Sequence, residues 1–293
     1  MSIYGVFFKN KSHLFTVSLY LYSIIVKIDT LAKKEALYVK KTSTLAFIVF
    51  KLIRGLVKFF YGKTVIEGLG NIADNNTIIV ANHSQMNGPI VCELYMPENC
   101  YIWCAGEMMN IKEVPAYAFN DFWSQKPKWT QPFYKLLSYI IAPISYCVFN
   151  NARTVAVYHD SRIVGTFRET VEMLKNGRNI IIFPEKDETR NNILNKFQEN
   201  FVDVARLYYK RTGVELNFAP MYIAPYLKKA YIGNAIKYNS QNTPEEERKR
   251  ISEYLADEIT ETARSLSEHT VVPYRNIPRS RYLRNTDITE VPR

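Results

Sequence analysis

The stretch IIVANHSQMNGPIV, residues 78 to 91, closes an apolar run on Asn82-His83 and passes into a loop with Gly88-Pro89. A second run, NIIIFPE, closes on Pro184-Glu185. Short continuous apolar runs bounded by turn residues read as buried strands. In an open α/β sheet the loops beyond the carboxyl ends of strands are where ligands bind. Histidine is the side chain best suited to take a proton from an alcohol near neutral pH. If the two strands are neighbours, His83 and Glu185 meet at one edge of the sheet. There a carboxylate can hold an acceptor hydroxyl or stiffen the loop. No acid lies between His83 and Glu93, so whatever orients the imidazole comes from elsewhere.

The elements that must position these residues alternate. TVIEGLGNI reads as a short strand and turn, followed by the strand TIIVAN. Ser161 opens an apolar period through Ile163, Val164, Phe167, Val171 and Leu174 that stops at Gly177, a helix with a C-terminal glycine. Another helix runs from about Asn200 to Arg211 and closes at Gly213, before the strand-like VELNFAPMYIAP and AYIGNAIKY. Thr243-Pro244-Glu245-Glu246 carries an N-cap, a first-turn proline and a capping-box glutamate, and its helix should reach about Leu266. Residues 97 to 133 read as an aromatic, proline-bearing connection, a lid or lipid-contact element. The expected class is α/β: a central mixed sheet flanked by helices, preceded by amphipathic and apolar N-terminal helices.

Charge divides the chain into three. Residues 1 to 64 hold 11 Lys or Arg against two acids, most of the formal net charge of +10. The interleaved residues are strongly apolar, which favours an anionic membrane surface over nucleic acid. Residues 12 to 26 form an uncharged run of 15, short for a spanning helix. An interfacial or buried helix is preferred there, with a tilted span as the alternative. In STLAFIVFKLIRGLVKFFYGK, Lys51, Arg54 and Lys58 fall on one narrow face. Such a helix can lie in the headgroup plane with its basic stripe outward. Residues 65 to 268 form the α/β domain. Residues 269 to 293 form a basic tail, expected to be extended or loose. The four cysteines have neither CxxC spacing nor paired histidines nearby, so neither a metal site nor a disulfide framework is expected.

Taken in order, NHSQMNGP, VFNNARTVAV, FPEKDETR and NFAPMYIAP with AYIG resemble the blocks of the glycerolipid acyltransferase family typified by bacterial 1-acylglycerol-3-phosphate acyltransferase. The basic apolar helix leading into VIEGLGNI resembles that family's entry. The resemblance covers roughly residues 45 to 265. It implies a membrane enzyme of phospholipid biosynthesis, on the cytoplasmic face of the cell membrane. It would move a fatty acyl group from acyl-CoA or acyl-ACP, a co-substrate, to the hydroxyl of a lysophospholipid or glycerol-phosphate-type acceptor. No resident cofactor is implied. His83 takes the place of the family's base, while Gly88 stands where its aspartate would be and Lys186 where its glycine would be. Glu185 or Asp187 is the preferred acid near His83, with Glu93 and Glu188 as further acids and Asn82 and Asn87 in support. Arg153, Arg162 and Lys186 are the cations expected to hold the acceptor's phosphate. The alternative is a degenerate relative that binds lipid or acyl groups without catalysis.

Overall fold

The computed structural model of the protein describes residues 43–72, 76–124 and 126–287. The apolar run at 12 to 26 lies outside them. The chain divides into two compact units, Met1–Phe47 and Ile48–Arg293, and the second carries the sheet and the site.

Helix α1 (Thr44–Tyr61) leads to strands β1 (Val65–Glu67) and β2 (Thr77–Ala81). After the site loop come α2 (Asn87–Tyr95), β3 (Cys100–Ala105), the short α3 (Val114–Ala118) and the long α4 (Gln131–Asn151). Then β4 (Thr154–Val157), α5 (Ile163–Lys175) and β5 (Asn179–Ile182) follow. A small antiparallel pair, β6 (Glu185–Thr189) and β7 (Asn195–Phe197), stands apart from the main sheet. The chain continues through α6 (Asp203–Thr212), β8 (Asn217–Ala224), β9 (Lys229–Ile232), β10 (Ile236–Lys237) and α7 (Pro244–Ser265).

The main sheet has the order β1-β9-β8-β2-β5-β3-β4, with β10 also beside β8. It is mixed. β8 runs antiparallel to β9 and β10, and every other pairing is parallel. β2 and β5 are adjacent, in the middle of the sheet, and buried along their whole length. Strands covered on both faces read as unbroken apolar runs, which is why these two stood out in the sequence. The starts of this pair are locked by Asn179, whose Oδ1 accepts the Thr77 N–H at 2.9 Å. Pro220, with no N–H of its own, sits where the partner chain on one side of β8 breaks between β9 and β10. The helix stops fall where expected, at Gly177 (φ 74°) and Gly213 (φ 72°).

Four expectations change. Residues 97 to 133 are not an irregular connection: Cys100–Ala105 is β3, paired with both β5 and β4. Its cysteines and aromatics lack the aliphatic signature of β2, so it escaped the sequence reading. The resemblance matches VFNNARTVAV to a strand end at Asn151 with Arg153 two residues on; here its first four residues end α4 and Thr154–Val157 is strand, so Arg153 precedes β4. The tail after His269 is tied down as far as Asp287. The buried His269 ring donates from Nδ1 to the Ser267 carbonyl at 2.7 Å and accepts the Tyr222 hydroxyl at Nε2 at 2.8 Å. Val271 N–H donates to the Leu283 carbonyl, and Asn285 donates to the Ala263 carbonyl. The basic stripe of α1 also splits. Arg54 turns inward with Phe50, Ile53 and Val57, while Lys51 and Lys58 flank that face.

The start of α7 forms as its sequence specifies. The Thr243 side chain accepts the Glu246 N–H, and the Glu246 carboxylate accepts the Thr243 N–H. Thr243→Ala removes the first bond and is expected to lower the unfolding free energy by about 1 kcal/mol, read as a shifted denaturant midpoint at constant slope. An unmoved midpoint would mean that the cap contributes nothing.

Candidate active site

The carboxyl ends of β2, β5, β3 and β4 share one edge of the sheet because these four strands run parallel. Beneath that edge lies a cavity of about 760 Å³, walled mostly by apolar side chains such as Val57, Ile90, Leu94, Trp103, Phe149 and Phe167. Among its walls, Arg54, His83, Glu93, Asp121, His159, Asp160 and Glu185 can carry charge. A cavity of this size, apolar with a few polar groups, is typical of a small-molecule site.

His83 and Glu185 do come together, but through the main chain. The Glu185 carboxylate accepts the His83 backbone N–H at 2.6 Å with one oxygen and the Asn195 N–H at 2.8 Å with the other. It therefore ties the end of β2 to the β6–β7 pair, and among the described residues no hydrogen bond joins it to the imidazole. What holds the ring is the loop itself. Nδ1 lies 2.6 Å from the carbonyl oxygen of Gln85. A carbonyl can only accept, so the proton sits on Nδ1 and Nε2 keeps the lone pair. Phe183 packs tilted on the ring at 5.1 Å, and Tyr274 meets it edge to face at 5.8 Å.

Reaching this geometry puts two consecutive side-chain-bearing residues in the left-handed region, Ser84 at φ 47° and Gln85 at φ 55°. Neighbours hold them there. The Asn82 amide bridges to β8, accepting the Ile223 N–H at 2.7 Å and donating to the Ile223 carbonyl at 3.1 Å and the Ser84 hydroxyl at 2.7 Å. Asn87 donates to the Ser84 carbonyl and accepts the Tyr61 hydroxyl. The Gln85 amide donates to the Arg275 carbonyl and the Tyr282 hydroxyl, both in the tail. Asn82 and Asn87 thus support the loop and not the imidazole directly. Gly88 is a matter of space. A Cβ there would lie 2.5 Å from the His83 carbonyl oxygen and 2.8 Å from the Phe183 ring. An aspartate cannot be placed at this position unless the backbone moves.

The other expected residues are engaged elsewhere. Asp187, mostly exposed, pairs with Arg275. Lys186 pairs with Glu188 at 2.7 Å. Arg153 donates to the carbonyls of Cys92, Glu93, Met96 and Pro97 and so closes the end of α2. Arg162 lies over the Tyr158 ring and pairs with Asp160, Glu113 and Glu107. None of the three cations lines the cavity itself; Arg162 adjoins it through Asp160 and Arg153 through Glu93. Glu93 bridges Arg54 at 3.0 Å and Arg153 at 3.5 Å.

Three participants were missed: the Gln85 carbonyl, Asp121 and Tyr274. A main-chain carbonyl leaves no trace in residue type. The tail gave no periodicity to place Tyr274. Asp121 had a signal, as the sole acid between Glu113 and Asp160. It lines the cavity and acts electrostatically on His83. Burial lowers the His83 pKa, opposed by the bond to Gln85 and by the Asp121 charge. Burial likewise holds Asp121 above its usual range, with His83 pulling it down. The ring is therefore a neutral base near pH 7. Tyr274 stays a phenol, raised first by burial and then by Glu185, Asp121 and Asp187.

No family model matches the chain, and no curated protein does. Among solved structures it is similar to the 1-acyl-sn-glycerophosphate (LPA) acyltransferase PlsC from Thermotoga maritima, at 19% identity over 88% of this chain and 99% of that one, with a TM-score of 0.44.

Gly88→Asp should lower the unfolding free energy by about 1–3 kcal/mol, read by denaturant unfolding, and an unchanged value would show that the loop has room. Burial pushes Glu185 from 4.5 up to about 7, against the pull of its two N–H bonds. The folded chain thus holds this proton more tightly than the unfolded one, and stability falls as pH rises between those values and is level above them. The excess stability of wild type over Glu185→Gln should shrink across that window in urea titrations. A difference independent of pH would show that Glu185 does not titrate there.

Proposed function

We propose that the protein is an acyltransferase of phospholipid biosynthesis. It moves a fatty acyl group from a thioester of coenzyme A or of acyl carrier protein to a hydroxyl of a lysophospholipid or glycerol-phosphate-type acceptor. His83 is the general base. The observation that carries this reading is the tautomer: Nδ1–H is committed to Gln85, so Nε2 of a cavity-lining ring is free to take a proton.

In the step that follows, the acceptor hydroxyl gives its proton to Nε2 while its oxygen attacks the thioester carbonyl. The tetrahedral intermediate then collapses with loss of the thiolate. The imidazolium returns the proton to that sulfur, leaving ester and thiol. Depression of the His83 pKa by burial keeps the base form populated at neutral pH. The Gln85 carbonyl dipole supports the imidazolium in place of a carboxylate, and the Asp121 charge adds to it at longer range. The apolar walls suit an acyl chain. Glu185, Asn82 and Asn87 act as positioning residues. Of the three expected cations, Arg162, beside the cavity-lining Asp160, takes the acceptor's phosphate by exchange with that carboxylate.

The site belongs at a membrane, where a lysophospholipid acceptor resides. The outer face of α1 exposes Leu52, Leu56, Phe59 and Phe60, which suits insertion among lipid chains. We assign the cytoplasmic side, consistent with four cysteines of which none forms a disulfide.

The test is consumption of an acyl thioester with detergent-dispersed lysophospholipid. His83→Ala should lower the rate by roughly 10²–10⁴-fold. The wild-type kcat/KM should rise with pH as His83 loses its proton, with a midpoint below the ordinary 6.5. Equal, background rates for both proteins would refute catalysis with those substrates and favour a lipid-binding relative.

A further inference from the structure

Helix α4 is inverted relative to a helix made for water. The residues it buries fully are small or polar, with Ile141 and Phe149 packed beside them. Ser138, Ala142, Ser145 and Asn150 are buried there, with the Ser145 hydroxyl donating to the Met108 carbonyl at 3.2 Å and the Asn150 amide to the Met109 carbonyl at 2.9 Å. The face it turns outward is large and apolar. Phe133, Leu136, Ile140 and Ile144 recur at spacings of three and four, each more than half exposed. Trp129, just before the helix, is 84% exposed. Water favours the opposite arrangement, and monomeric soluble proteins rarely expose apolar patches beyond a few hundred Å².

Two further observations indicate what covers this face. The first is charge. From Phe122 to His159 the chain has no acid but carries Lys126, Lys128, Lys135 and Arg153. An indole at the helix entrance, lysines around it and tyrosines at Tyr139 and Tyr146 make the composition of a lipid interface. The second is the cavity. Its walls include Phe50, Ile53 and Val57 of α1 and Val148 and Phe149 of α4. Two of the helices that line the acyl-sized space, α1 and α4, thus also carry exposed apolar outer faces.

We infer that α4 and the Trp129 turn form a second lipid-embedded face beside α1, lying in one leaflet of an anionic membrane. Lys128–Asn151 is the helix among the described residues that is long and apolar enough to cross a bilayer. Its polar inner face is hydrogen-bonded to the body, so it lies along the surface instead. In this placement the cavity opens toward the acyl layer between α1 and α4. The inference rests on the membrane part of the proposed function and not on catalysis.

The experiment uses the full chain with vesicles of phosphatidylglycerol and tail-brominated phosphatidylcholine. The fluorescence that Trp129→Phe removes should be quenched several-fold by the brominated lipid. Ile140→Glu with Ile144→Glu should lower the vesicle-bound fraction by about tenfold or more, since each charge must enter the acyl region. Near-ultraviolet circular dichroism of that variant checks that the fold is kept, and the quenching measurement does not depend on it. A chain that floats with vesicles while Trp129 stays unquenched would overturn this inference alone. A chain that does not float at all would overturn it together with the membrane part of the proposed function. Sedimentation showing a dimer that the double variant dissociates, with flotation unchanged, would also overturn it in favour of a second copy as the cover.

Discussion

The His83 ring is held by a carbonyl two residues along its own chain, and much of the surrounding structure serves that one bond. It requires Ser84 and Gln85 to stand together in the left-handed region, at a cost of about 1–3 kcal/mol each. Such a loop persists only when its surroundings over-determine it. Here Asn82 pins it to β8, Asn87 to α2, and the Gln85 side chain to the tail. The Glu185 carboxylate holds the His83 N–H from the neighbouring strand. Gly88 lets α2 begin against the His83 carbonyl, where any side chain would collide.

A carbonyl in place of a carboxylate changes the charge balance of the imidazole. Both fix the same tautomer, because both accept from Nδ1–H. Only a carboxylate opposes the desolvation of an imidazolium with a full charge. Burial therefore wins here, and the ring stays neutral. That favours taking a proton and gives weaker support to the cation once formed. Asp121, also in the cavity wall, is the group that adds negative charge to the ring's surroundings. The same burial raises Asp121 itself, so the two groups each depend on the other's charged state.

Helix α2 connects the site to the apolar surface of the molecule. Its first turn packs under His83 through Gly88, and its last turn carries Glu93. That carboxylate is shared by Arg54 of α1 and Arg153 just before β4. Arg54 also donates to the Glu93 carbonyl, one of the four carbonyls taken by Arg153. Carbonyls at a helix end need donors, and these two guanidiniums supply them. An interaction that looks like a pair of surface ion pairs is therefore what joins α1, α2 and β4 around the cavity.

The amino-acid sequence by itself determined the strands β2 and β5, the helices that stop at Gly177 and Gly213, and the capping box of α7. Each rests on local physics: unbroken apolar runs for strands buried on both faces, glycine for a left-handed stop, paired side chains for a helix start. It also singled out His83 and Glu185 as residues at strand ends. Only the tertiary structure decided that β2 and β5 are neighbours, so that Glu185 meets the backbone of His83 and not its ring. Only the tertiary structure turned Arg153 away to close a helix, brought Tyr274 from the tail onto the imidazole, and placed Asp121 within its field. β3 and α4 were hidden for a related reason. Their patterns are those of elements packed against particular neighbours, or of a face not made for water, and residue types alone do not name the neighbour. The group that orients the imidazole was the least legible of all, because every residue has a carbonyl and only the fold decides where it points.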